Sequence, residues 1–226
     1  MRAHIFDMDG TLVRGTSAPV LVAAALGRGH SLVELEQRFA TGTATALDFA
    51  HTLHEMWGVV SAEVARRAFT AAPLLANIRE VVADIHRRGE RACLITMSPD
   101  YFAEQFLEFG FDSVFASRFP RSAELALDES AILDPEAKPR LAARFCDEHG
   151  LELSGAVAYG DSMSDVFLFR EAGLRVSVNG DHHLAELADI AVEGEDLMLA
   201  YSAAREWCDR AARNFLESDE ELNHSG

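Results

Sequence analysis

Three short apolar runs, each followed at once by polar residues, constrain the fold of this chain more than any other feature. They are "AHIFD" at 3–7, "RACLIT" at 91–96 and "GAVAYGD" at 155–161. Their length and flanking residues are typical of buried parallel strands. Weaker candidates of the same kind lie at 113–116, 174–178 and 189–192.

Segments with helical periodicity alternate with these runs. In 76–89 and 138–150 apolar residues recur three or four positions apart, and a glycine ends each segment. Strands that alternate with helices favour a parallel sheet covered on both faces. We therefore expect an α/β fold with a doubly wound, Rossmann-like sheet at its core.

The stretch between the first strand and the helix at 76 is too long to be a simple connection. It has helical periodicity and no convincing strand over about sixty residues, whereas a crossover between parallel strands needs only about a dozen. The excess predicts an inserted helical cap that serves as a lid. We expect an α/β core of residues 1–14 and 76–226 and a helical cap of residues 15–75.

The charge balance restricts the partners of the chain. Lys and Arg number 20 against 37 Asp and Glu, which gives a net charge of −17. Such a charge repels nucleic acid backbones and anionic lipid surfaces, so we expect neither nucleic acid nor membrane as a partner. A small anionic substrate would need a local cation to reverse this field.

Cysteine usage and the apolar runs favour a cytoplasmic protein. Cys93, Cys146 and Cys208 show no CxxC spacing and sit in apolar periodic segments, so we expect buried thiols in a reducing compartment. The N-terminus lacks the pattern of a secretory signal, and the longest apolar run is far shorter than a membrane span. We expect a monomer or a homodimer.

Polar side chains follow three of the predicted strands. Because the carboxyl ends of parallel strands meet at one edge of a sheet, these side chains should lie close together. Several carboxylates gathered there repel one another unless a cation lies among them, and hard oxygen ligands suit Mg²⁺. The polar residues at these strand ends are Asp7, Asp9, Thr96, Ser98, Asp161 and Asp165, and the four acids among them predict a Mg²⁺ site.

A magnesium site of this kind predicts a phosphorylated substrate. Asp7 can attack phosphorus to form an aspartyl phosphate. Asp9 is placed to protonate the departing alkoxide and later to activate water. Thr96 and Lys138 are the candidates for holding the phosphoryl oxygens, by a hydrogen bond and by a point charge. We expect a small-molecule phosphomonoester as the substrate.

Four motifs in order, "FDMDGTL", "LITMS", the lysine of "AKP" and "YGDSMSD", resemble those of the haloacid dehalogenase superfamily of aspartate-nucleophile phosphatases. The helical insertion after the first motif resembles the phosphoserine phosphatase subgroup. The resemblance implies that Asp7 is the nucleophile and Asp9 the general acid and base, with Thr96 and Lys138 binding phosphate. It also implies that Asp7, the backbone carbonyl of Asp9 and Asp161 bind Mg²⁺, while Asp165 supports the metal or Lys138.

The sequence leaves the roles of several other positions open. The phosphoserine enzymes hold their amino acid with a Glu and a cap Arg, and the matching places here are Thr16 and His54. The family's Asn before the last Asp is Ser164. His54 and Arg14 are candidate substrate contacts; a lid side chain and a solvated hinge residue are the alternatives. Ser98 is either a substrate ligand or the cap of the next helix.

Two other functions compete with a phosphatase. One is another branch of the same superfamily, a phosphotransferase or a dehalogenase, although dehalogenation needs no second acid and Asp9 argues against it. The other is a non-enzymatic phospho-acceptor module that resembles response-regulator receivers. Those modules have no cap of sixty residues, so the insertion and the late "GDSMSD" favour the enzyme.

Overall fold

The computed structural model describes residues 1–28, 32–40 and 42–224, and a parallel sheet of six strands forms its centre. The spatial order of the strands is β3-β2-β1-β4-β5-β6. This order confirms the α/β class and the doubly wound sheet. The strands, all near the predicted runs, are β1 (Ala3–Phe6), β2 (Arg91–Pro99), β3 (Ser113–Ser117), β4 (Val157–Gly160), β5 (Leu174–Val178) and β6 (Ile190–Val192).

Helices fill the stretch between β1 and the helix that precedes β2. The first and third begin at side-chain caps: Ser17 accepts a hydrogen bond from the Val20 N–H, and Thr45 forms a reciprocal capping box with Asp48. The helices of this stretch are α1 (Ala18–Ala25), α2 (Val33–Ala40), α3 (Ala46–Trp57) and α4 (Ala62–Thr70).

The remaining helices cover both faces of the sheet. Consecutive residues of β1 face opposite sides, so Phe6 belongs to the hydrophobic core on one face of the sheet and Ile5 to the core on the other face. Cys93, Cys146 and Cys208 are buried free thiols, as predicted. These helices are α5 (Ile78–Arg87), α6 (Asp100–Ala103), α7 (Ala137–Glu148), α8 (Val166–Glu171), α9 (His182–Leu187) and α10 (Leu197–His224).

The two chain segments that join α1–α4 to the sheet run side by side. Val13 pairs with Leu74 in an antiparallel bridge, the Arg14 N–H donates to the Pro73 carbonyl at 3.0 Å, and the Leu75 N–H donates to the Leu12 carbonyl at 3.0 Å. The insertion therefore leaves and returns at one point, just beyond the carboxyl end of β1.

An aromatic cluster fixes α4 against the core. The Phe69 ring lies 5.2 Å from the Phe102 ring and 5.1 Å from the Phe106 ring, both in edge-to-face geometry. This contact holds the α1–α4 insertion over the carboxyl edge of the sheet. In the part of the chain that the structure describes, none of the helices has the length and apolar character of a membrane span.

Candidate active site

The site lies where the chain switches from one half of the sheet to the other. The strand order places β2 and β4 on either side of β1, and a crevice forms at such a switch point. Regular strand ends at Phe6, after which the Asp7 N–H still donates to the Tyr159 carbonyl at 2.9 Å. The chain then turns away through Gly10.

Gly10 is required by both its backbone conformation and its surroundings. Its φ is +83°, a region that residues with a side chain rarely adopt. A Cβ atom at this position would lie 1.9 Å from Oδ2 of Asp161. The absence of a side chain at Gly10 therefore lets the loop after β1 approach the carboxylate that follows β4.

Three carboxylates from two strand ends converge at this edge. Asp7, Asp161 and Asp165 each offer one oxygen atom, and these atoms lie within 4.8 Å of one another. Asp165 also accepts a hydrogen bond from the Asp161 N–H at 3.1 Å, and Thr11 donates to Asp161 at 3.4 Å. The structure thus brings together three of the acids that the sequence singles out.

Lys138 joins this cluster from the first turn of α7. Its ammonium group is buried and donates to Asp7 at 2.7 Å and to Asp165 at 2.6 Å. The third contact is to the Ser164 hydroxyl at 3.2 Å. The single ammonium therefore bridges the carboxylate after β1 and the carboxylate before α8.

Burial sets the protonation of the cluster. It raises the pKa of Asp7 from 3.8 to about 7, although Lys138 opposes the shift. Burial and the charge of Asp7 raise the pKa of Asp161 to about 9. Burial alone would lower the pKa of Lys138, but Asp165 and Asp7 outweigh it and raise that pKa. Three carboxylates thus cluster beside one ammonium, which contacts Asp7 and Asp165, and this set of hard oxygen donors fits Mg²⁺.

The Asp9 carboxylate is held by a different set of groups. Its Oδ2 accepts from the Ser98 hydroxyl at 2.5 Å, and its Oδ1 accepts from the Ala18 N–H, at the start of α1, at 2.6 Å. Burial raises the pKa of Asp9 to about 6 against the effect of these two donors. Asp9 is thus fixed between β2 and the first helix of the insertion.

Ser98 and Thr96 lie near the end of β2, which extends to Pro99 rather than ending at 96. Ser98 makes no capping bond to α6 and instead orients Asp9. Oγ1 of Thr96 accepts from the Ser98 N–H at 3.1 Å, which leaves its O–H able to donate to another group. Their assignments as substrate ligands remain predictions.

A cavity of about 270 Å³ separates the sheet edge from the insertion. Asp7, Asp9, Thr96, Ser98 and Lys138 line its floor. Its other walls include residues that the sequence analysis did not identify, among them Ser17, Glu36, Phe39, Phe49 and Leu53. These residues lie on or beside the helices of the insertion. A polar residue at a strand end can be recognised from the sequence as a functional candidate, whereas helical periodicity does not mark such positions.

Arg14 and His54 do not line this cavity. Arg14 is exposed and forms an ion pair with Glu195. His54 lies on α3, and its Nδ1 atom is buried without a hydrogen-bond partner in the described residues. The structure does not bring these two residues to the carboxylate cluster, and their roles as substrate contacts remain predictions.

Comparison with known proteins assigns the class. A family model of haloacid dehalogenase-like hydrolases matches residues 5–170, so the chain belongs to that family of enzymes. This confirms the resemblance carried by the four motifs.

Within this class, several curated relatives are phosphoserine phosphatases. That of Archaeoglobus fulgidus is 25% identical over 87% of this chain and 58% of its own length. That of Methanocaldococcus jannaschii is 25% identical over 85% of this chain and 92% of its own length. The chain thus spans less than two thirds of the first relative and nearly all of the second.

Solved structures agree on the fold. A structure described as a phospho-aspartyl intermediate analogue of phosphoserine phosphatase superposes with a TM-score of 0.74 at 21% identity, covering 87% of this chain and 95% of its own. A hydrolase of the haloacid dehalogenase (HAD) family from Salmonella enterica superposes with a TM-score of 0.77 at 16% identity, covering 88% of this chain and 70% of its own.

Proposed function

We propose that this chain hydrolyses a small phosphomonoester, with Mg²⁺, through an aspartyl phosphate on Asp7. The observation that carries the proposal is the convergence of Asp7, Asp161, Asp165 and Lys138 beside a cavity that also contains Asp9. The phosphoserine phosphatases among the relatives support the hydrolysis of a phosphate ester.

The carboxylates of Asp7 and Asp161 are the proposed metal ligands. Asp165 supports the site because it holds both Lys138 and the Asp161 backbone. The family resemblance adds the backbone carbonyl of Asp9. When bound, Mg²⁺ supplies positive charge beside the phosphoryl oxygens, which a chain of net charge −17 otherwise repels.

The two acids after β1 then carry out the bond changes. A carboxylate oxygen of Asp7 attacks phosphorus, and the bond from phosphorus to the ester oxygen breaks. Asp9, whose pKa burial raises to about 6, gives its proton to the departing oxygen. The resulting Asp9 carboxylate takes a proton from water, whose oxygen attacks the phosphoaspartate and releases inorganic phosphate.

Thr96 and Lys138 are the proposed phosphate ligands. The Thr96 hydroxyl donates to a phosphoryl oxygen, and the Lys138 ammonium supplies a charge while it keeps Asp7 oriented. We further propose that residues 15–75 act as a cap domain that closes the cavity over the bound substrate. Closure of this kind removes bulk water from around the phosphoryl group and so strengthens its contacts with the charged groups of the site.

Turnover of p-nitrophenyl phosphate tests the proposal. We expect sustained Mg²⁺-dependent release of inorganic phosphate, and Asp7→Asn should lower kcat by at least about three orders of magnitude. Asp209→Asn, which removes a half-exposed carboxylate from α10, is the matched control and should leave kcat unchanged. Release of p-nitrophenol limited to one equivalent per protein, with the phosphoryl group retained on the protein, would indicate an acceptor module, and full activity of Asp7→Asn would refute the proposal.

A further inference from the structure

The part of the cavity beyond the phosphate position contains a carboxylate that the proposed reaction does not use. Glu36 of α2 lines the cavity and accepts a hydrogen bond from the Ser17 hydroxyl at 2.8 Å. The same hydroxyl oxygen accepts from the Val20 N–H at 3.4 Å. Its proton is thus committed to Glu36, which fixes the position of that carboxylate.

Glu36 lies close to the general acid. Ser17 contacts Glu36, and the next residue, Ala18, donates its N–H to Asp9. Two adjacent residues at the start of α1 therefore contact the two carboxylates, and the charge of Glu36 contributes to the raised pKa of Asp9. A substrate whose ester oxygen meets Asp9 would present its adjoining carbon atoms to Glu36.

The described residues around Glu36 are unfavourable for binding an anionic group of a substrate. Among the described residues that line the cavity, Lys138 is the only basic side chain, and Asp7, Asp165 and Ser164 already hold its ammonium group. Phe39, Phe49 and Leu53 supply apolar wall, and the Phe39 and Phe49 rings lie 5.2 Å apart in edge-to-face geometry. A substrate carboxylate would lie beside Glu36 without a counter-charge, which is unfavourable.

An ammonium group of the substrate would be favoured beside Glu36. It can pair with the Glu36 carboxylate by a charge-assisted hydrogen bond, and nearby aromatic rings favour a cation. Resting on the proposed phosphatase activity, we infer that the preferred substrate is a phosphomonoester of an amino alcohol that carries no carboxylate, and that Glu36 selects its ammonium group.

A set of simple phosphate esters tests this selectivity. O-phosphoethanolamine carries the ammonium alone, O-phosphoserine adds a carboxylate, and glycerol phosphate has hydroxyls in place of the amine. We expect kcat/KM for phosphoethanolamine to exceed the other two by about tenfold or more, the size of a charge-assisted contact. A preference for phosphoserine, or equal turnover of glycerol phosphate, would overturn the inference.

Substitution of Glu36 assigns the preference to one residue. Glu36→Gln should lower the ratio of kcat/KM for phosphoethanolamine to kcat/KM for p-nitrophenyl phosphate, which has no amine, by about tenfold. Glu34→Gln, at an exposed position on α2, is the control and should change neither. Equal losses on both substrates in Glu36→Gln would contradict a role in selectivity.

Binding to a variant that does not turn over separates this inference from the proposed reaction. In Asp7→Asn, 2-aminoethylphosphonate should bind more weakly by about tenfold once Glu36→Gln is added. If p-nitrophenyl phosphate is not hydrolysed by the wild type, the proposed function fails and the inference fails with it. If it is hydrolysed but neither binding nor turnover depends on Glu36, only the inference fails.

Discussion

At the residue scale, the site depends on close approaches that leave no room for extra atoms. Gly10 illustrates this, because its missing side chain is what allows the Asp161 carboxylate to sit against the loop that carries Asp7 and Asp9. The "DG" in the sequence predicts a sharp exit from the strand. The contact with Asp161, 151 positions away in the chain, follows only from the fold.

Substitution of Gly10 should therefore damage the site more than the fold. In Gly10→Ala the new Cβ must displace the Asp161 carboxylate, and misplacement of this kind lowers kcat/KM by about a hundredfold or more. Gly150→Ala is the control, since Gly150 also has a positive φ, +66°, but has open space around it. It should cost about 1 kcal/mol of unfolding free energy with kcat/KM unchanged. Equal kinetic effects of the two would refute the role given to Gly10.

Ser98 and Glu36 make contacts that cannot be predicted from the sequence alone. The sequence predicts that Ser98 either contacts the substrate or caps a helix; its hydroxyl donates to Asp9 from the neighbouring strand, which excludes the cap, while the substrate contact stays a prediction. Glu36 belongs to a helix whose pattern distinguishes buried from exposed positions but not a core from a cavity. A pairwise contact across 89 residues, as between Asp9 and Ser98, leaves no local trace in the sequence.

At the element scale, strand ends were the most informative feature. The central part of a buried parallel strand is mainly apolar, so "AHIFD", "RACLIT" and "GAVAYGD", with the polar residues that follow them, indicate both the sheet and its carboxyl edge. Periodicity predicts the helices of the insertion. Their contacts with the core, through Phe69 and the Val13–Leu74 bridge, depend on the folded arrangement.

The contacts of Phe69 with Phe102 and Phe106 should link the position of the α1–α4 insertion to substrate binding. Phe69→Ala removes ring contacts with Phe102 and Phe106 and should lower the unfolding free energy by about 2–3 kcal/mol. Because α1–α4 supply a wall of the cavity, KM should rise more than kcat falls. Arg66→Ala, an exposed position on the same helix, should change neither. Lost stability in Phe69→Ala with unchanged KM would show that the two are not coupled.

At the scale of the whole molecule, the net negative charge and the buried acids explain why the proposed reaction needs a bound cation. The folded-state pKa values of Asp7, about 7, and Asp161, about 9, lie above the value of 3.8 for an unperturbed Asp. The metal-free folded state therefore retains protons that the unfolded chain releases. Its stability is highest below pH 3.8 as far as these groups are concerned, and it falls as the pH rises through the two raised values.

Bound Mg²⁺ should offset this loss of folded-state stability, and its effect should be larger at higher pH. Binding requires the ionised carboxylates, so the increase of Tm on adding Mg²⁺ should be larger at pH about 8 than at pH about 5. Asp161→Asn should remove most of the increase. An increase that is independent of pH, or that persists in Asp161→Asn, would place the ion elsewhere.

The covalent intermediate is the most direct test of the central claim that Asp7 reacts with phosphorus at a site built for a divalent ion. The wild type should be mixed with Mg²⁺ and substrate, quenched in acid, digested and analysed by mass spectrometry. We predict a phosphoryl group on Asp7, absent without Mg²⁺ and absent in Asp7→Asn. Turnover that proceeds with no phosphorylated peptide, or with the phosphoryl group on another residue, would contradict the account.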